Sequence, residues 1–178
     1  MPDGRVTGDV ATAGREAPDD PRSGNLARRT LVIGYGNPGR RDDGLGPALA
    51  ARLAALGLPG VTVESDYQLS IEHAQLAALH DVVVFADAAT DVAGDASFYL
   101  RPVAPAPDAS CFSHRVSPQA VLQLAAECFG AHPRGWLLGI RPLDLGSFAE
   151  GLTPAAERNL ASAVDALREA FEIWWQTR

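Results

Sequence analysis

From residue 30 onward, short apolar runs alternate with stripes of apolar residues at helical spacing. Residues 30–35, TLVIGY, form a run that ends at glycine, the pattern of a strand buried on both faces. Leu45, Leu49, Leu53 and Leu56 follow at intervals of three or four, which predicts a helix starting near Gly44. Residues 61–64 read as a second strand, 71–79 as a short helix and 81–87, DVVVFAD, as a strand with a buried middle. Residues 96–103 make a shorter strand. Ser117-Pro118 then opens a helix, because Ser is a good N-cap and Pro is tolerated at the first helical position. Its apolar face is Val121, Leu122, Ala125 and Cys128. Residues 135–140 give a fifth strand. Thr153-Pro154 repeats the helix opening, Glu157 suits the positive end of the helix dipole, and Leu160, Val164, Leu167, Phe171 and Trp174 complete one long stripe.

This alternation predicts an α/β fold: a three-layer sandwich with a twisted, mostly parallel five-stranded sheet and helices on both faces. Ligands of such sheets collect beyond the carboxyl ends of the strands. Residues 1–28 hold only Val6, Val10 and Leu26 as large aliphatic residues and are expected to form a disordered tail. Residues 29–178 are expected to form one α/β domain.

Composition narrows the function classes. The chain has 178 residues, 47% of them hydrophobic, enough for one proper core. A formal charge of −7 argues against nucleic acid or an anionic membrane as the main partner. Cys111 and Cys128 form no C-x-x-C pair and are expected to be buried thiols. No apolar run reaches the ~18 residues of a membrane span, and the first residues lack the apolar stretch of a signal peptide. A cytoplasmic protein is expected.

Gly34-Tyr35-Gly36-Asn37-Pro38-Gly39 matches G-x-G-x-x-G after a strand and before a helix, so dinucleotide binding is one reading. The following Arg40-Arg41-Asp42-Asp43-Gly44 weighs against it, since two carboxylates at the helix entrance repel a pyrophosphate. One of the two is expected to cap the helix, leaving the other free to act. Asp87 closes the third strand, and His114 follows the fourth. If the strands are parallel, Asp43, Asp87 and His114 meet on one side of the sheet as an open transition-metal site. His73 and His80 are expected at the surface and His132 in a turn.

The run from Gly34 to Gly46, GYGNPGRRDDGLG, resembles the opening motif of the hydrogenase maturation proteases. Gln68-Leu69 with Glu72, Asp87-Ala88, the segment from Ser113-His114 to Ser117-Pro118, residues 138–142 (LGIRP) and Leu152-Thr153-Pro154 fall in the same order, so the resemblance spans roughly residues 30 to 175. Many family members carry His just after the Ser-Pro turn, where this chain has Gln119, and His before Gln-Leu, where it has Tyr67. These departures leave the hydrogenase partner open.

The resemblance implies an endopeptidase, of aspartic or metal-assisted type, that removes a C-terminal extension from the large-subunit precursor of a nickel–iron hydrogenase. It implies a metal set of Asp43, Asp87 and His114 that reads nickel supplied by the substrate. Asp43 and Asp87, with Asp42 as a cap, a partner behind the site or a base, are the candidate catalytic carboxylates. Asn37 and Gly36 are candidates for oxyanion or loop support. The alternatives are a non-catalytic nickel- and large-subunit-binding maturation factor and a dinucleotide enzyme using Gly34, Gly36 and Gly39.

Overall fold

A computed structural model of the protein describes residues 29–107 and 116–176. Five strands form one sheet: β1 (Thr30–Tyr35), β2 (Val61–Asp66), β3 (Val82–Ala88), β4 (Phe98–Val103) and β5 (Arg134–Ile140), in the order β2-β1-β3-β5-β4. The pairs β1–β2, β1–β3 and β3–β5 are parallel, and β4 runs antiparallel to β5 at the edge. Four helices complete the fold: α1 (Leu45–Leu56), α2 (His73–Ala78), α3 (Pro118–Phe129) and α4 (Pro154–Gln176).

The central strands β1 and β3 are apolar and buried along most of their length because both faces of the sheet are covered there. Val32, Val84, Ala86 and Ile140 point to one face and pack against Leu49 and Leu53 of α1 and Leu160, Leu167 and Phe171 of α4. Leu31, Ile33, Val83 and Phe85 point to the other and pack against Ala74 and Ala77 of α2 and Val121 and Ala125 of α3. This alternation of period two builds the three layers. Trp136 of β5 stacks on Trp174 of α4 with ring centroids 4.8 Å apart. Both Ser/Thr-Pro helix openings form as expected: Ser117 Oγ accepts from the Ala120 N–H and Thr153 Oγ1 from the Ala156 N–H, each at 3.2 Å.

The chain leaves β1 toward β2 on one side and returns to place β3 on the other. The order therefore reverses between β1 and β3, and a crevice opens beyond their carboxyl ends.

Two expectations about burial fail. His73 is buried rather than at the surface, only 6% exposed, because the turn entering α2 folds its ring inward, where Nδ1 bonds the Ser70 N–H at 3.0 Å. Cys128 is exposed rather than buried, since the inward face of α3 ends with Ala125. Cys111 and the expected tail of residues 1–28 lie outside the described residues.

Candidate active site

The site begins where β1 stops. Gly36 has φ +139°, a conformation that disfavours side chains, and a Cβ there would lie 2.0 Å from the Asp43 carbonyl oxygen. A Cβ on Gly34 would lie 2.1 Å from the Gly46 carbonyl oxygen. These two glycines of the loop let the start of α1 press onto the end of β1, so close packing accounts for them without a pyrophosphate. A single 3-10 turn, Arg41–Gly44, then presents the two acids.

Neither acid caps a helix. The N-cap of α1 is Gly44, and no side-chain bond caps it or the 3-10 turn. The carboxylates are engaged elsewhere. Asp43 Oδ2 accepts from the Asn37 N–H at 3.2 Å, while Asn37 Oδ1 accepts from the Gly39 N–H at 2.9 Å. Asn37 thus braces the loop and orients Asp43.

Asp42 is fully buried and is not among the residues lining the crevice. It accepts from the N–H groups of Leu143 (2.8 Å), Asp144 (2.9 Å) and Thr153 (2.7 Å) and from the Thr153 hydroxyl (2.9 Å). Burial pushes its carboxyl upward, but the Thr153, Leu143 and Asp144 hydrogen bonds outweigh burial and hold it below the usual carboxylate range. It ties the opening loop to the β5–α4 connection.

Asp87 stands near the end of β3, level with Gly139 of β5, and its Oδ1 accepts from the Ala88 N–H at 2.7 Å. Asp43 and Asp87 share one cleft of about 260 Å³ at the β1–β3 switch point, walled also by Tyr35, Gln68, Leu69 and Val116. Sequence reasoning did not single out Tyr35 as a site residue. The available signal was an aromatic side chain on the last residue of the strand entering the glycine loop. Burial, and then the charges of Asp87 and Tyr99, push its phenol upward, so it stays protonated.

His114 lies outside the described residues. The reasoning that brought it to the site through a parallel fourth strand does not hold. β4 is antiparallel, and its last residue, Val103, pairs with Gly135 near the start of β5, at the end of the sheet away from the cleft. The chain reaches the cleft on its approach to α3, where Val116 forms part of the wall. Among the described residues no three His, Cys, Asp or Glu groups are placed to hold a metal ion. His80 is half-buried, with its ring nitrogens bonded to the Leu76 carbonyl and the Thr62 hydroxyl, and His132 is exposed.

No family model matches the chain, and no curated protein matches it. Solved structures do. The nickel–iron hydrogenase maturation protease HycI of Thermococcus kodakarensis superposes with a TM-score of 0.64 at 22% identity, over 85% of this chain and 96% of that one. The hydrogenase maturating endopeptidase HybD of Escherichia coli gives 0.56 at 25% identity, over 80% and 93%. This is the fold of the hydrogenase maturation proteases. A maturation peptidase for hydrogenase 2 from a Thaumarchaeota archaeon is also similar, with a TM-score of 0.60 at 23% identity over 82% of this chain and 99% of that one. The maturation-protease fold thus extends over most of the chain.

Proposed function

We propose that the chain is a cytoplasmic endopeptidase that removes the C-terminal extension of a nickel–iron hydrogenase large-subunit precursor after nickel insertion. The observation that carries this reading is the meeting of Asp43 and Asp87 in one cleft, at the switch point of a fold shared with maturation proteases. Among the described residues, no helix is long and apolar enough to cross a membrane.

On this reading nickel arrives with the substrate. Two carboxylates and the imidazole of His114 are a donor set suited to a divalent transition metal that still carries substrate ligands. Contact with that ion sets one peptide bond in the cleft, so the binding supplies orientation. A carboxylate, Asp43 or Asp87, takes a proton from the attacking water. Asn37 and Gly36 hold the loop that fixes Asp43, and Asp42 holds the same loop from behind.

The test is a cleavage assay on nickel-loaded and nickel-free precursor, with mass spectrometry reporting the released peptide. Wild type is expected to cut only the loaded form, and Asp43→Asn to be slower by roughly 100-fold or more. Folded wild type that leaves the loaded cognate precursor intact sinks the peptidase reading. Tight binding of that precursor without cleavage would instead establish a non-catalytic maturation factor.

A further inference from the structure

The sheet register lines up four residues at the mouth of the cleft. Gly34 pairs with Ala86, so Tyr35 and Asp87 stand level on neighbouring parallel strands. Asp87 pairs with Gly139, and Gly139 with Tyr99. Leu31 and Ile33, like Val83 and Phe85, face the α2–α3 layer, so alternation puts Tyr35 and Asp87 on that same side. The Tyr35 ring packs against this layer. A Cβ on Gly139 would lie 2.3 Å from the Tyr99 ring, so the glycine leaves the space that this ring occupies. Two phenols therefore flank Asp87 along one row.

Their surroundings differ. Tyr99 is tied down: its hydroxyl accepts from Arg101 Nη2 at 3.2 Å, the Arg101 guanidinium sits 4.2 Å from its ring centroid, and Arg101 pairs with Asp91 at 3.2 Å. Tyr35 lines the cleft, and among the described residues its hydroxyl makes no hydrogen bond. It is also not a buried orphan. Tyr35, half-buried, thus brings a protonated phenol to the wall of the cleft that also holds Asp43 and Asp87.

We propose that Tyr35 is a further catalytic residue, whose hydroxyl donates a hydrogen bond to the carbonyl oxygen of the peptide bond being cut. The proposal rests on the peptidase reading. In the step concerned, the water oxygen bonds to the carbonyl carbon, one water proton passes to a carboxylate, and negative charge gathers on the carbonyl oxygen. The Tyr35 O–H donates to that oxygen and keeps its proton. When the C–N bond breaks, the charge returns to the carbonyl and the amine leaves with the proton held by the carboxylate. A donor already in place is worth most when the charge has developed, so it acts on kcat more than on KM.

Tyr35→Phe removes one oxygen and keeps the ring packing. It is expected to lower kcat for nickel-loaded precursor by about 100-fold, with KM within about twofold of wild type. A junction peptide with a tetrahedral phosphinate in place of the scissile amide should lose affinity for the variant by a similar factor, while the plain peptide should not. Wild-type turnover and equal phosphinate affinity in Tyr35→Phe overturn the role, as does a rise in KM alone, and both leave the peptidase reading standing. A wild-type enzyme that cuts nothing overturns that reading and this role with it.

Discussion

Asp42 and Asp43 are neighbours with separate tasks, and the backbone between them explains why. Successive side chains in a 3-10 turn point about 120° apart. One acid therefore faces the cleft while the next is driven into the protein, where four donors meet it. Asp42→Ala leaves those donors unpaired and is expected to cost about 2–4 kcal/mol, read by urea unfolding at pH 7. The pH dependence follows from the sign of the shift. The Asp42 carboxyl lies lower in the folded protein than in the unfolded chain. Its contribution is fully present above the unfolded value of about 3.9 and is lost as pH falls through the lower folded value. Wild type should lose stability over that acid range more steeply than Asp42→Ala, and parallel pH profiles of Tm would contradict this assignment. Residue types alone left open which member of the acid pair reached the cleft, because an adjacent pair fits either direction of the turn, and it was the motif resemblance that pointed to Asp43.

At the scale of elements, α4 is the best-founded prediction from pattern. Its stripe of Leu160, Val164, Leu167, Phe171 and Trp174 is buried along the whole length, as periodicity alone required. Phe171→Ala should therefore cost about 3–5 kcal/mol, whereas Glu169→Ala on the exposed face should stay within about 0.5 kcal/mol. Equal losses for the two in denaturant titrations would mean that the helix is not docked as described. The direction of β4 was missed, although its cause is visible in the chain. Only residues 89–97 join β3 to β4, too few for the dozen or more of a crossover, so β4 has to run back the other way. That reversal removes the end of β4 from the cleft and leaves the approach to α3 as the route to it.

For the whole molecule, the order β2-β1-β3-β5-β4 buries β1, β3 and β5 between paired neighbours and leaves β2 and β4 at the edges. Amides of Leu31–Ile33 and Val83–Phe85 are expected to exchange only through global unfolding. Amides of β2 and β4 should exchange at least about tenfold faster, as measured by native-state hydrogen exchange. Uniform protection across all five strands would count against this order. The cleft sits where the central strands β1 and β3 end, so Asp87 stands on a central strand and Asp43 on the turn that follows another, a placement that suits a positioning mechanism.

The apolar runs and stripes by themselves determined the elements and the layered α/β class, because hydrophobic period and helix-opening chemistry are local properties, while the glycine- and acid-rich run from Gly34 to Gly46 carried the motif resemblance. The sequence also marked Asp43 and Asp87 as acids next to strand ends. Tertiary structure decided what depends on which strands become neighbours. It set the reversal between β1 and β3 that makes the cleft, sent Asp42 inward, turned His73 into a packing residue and ranged Tyr35 and Tyr99 on either side of Asp87. These are consequences of register between segments far apart in the chain, and no local window of residues carries that information.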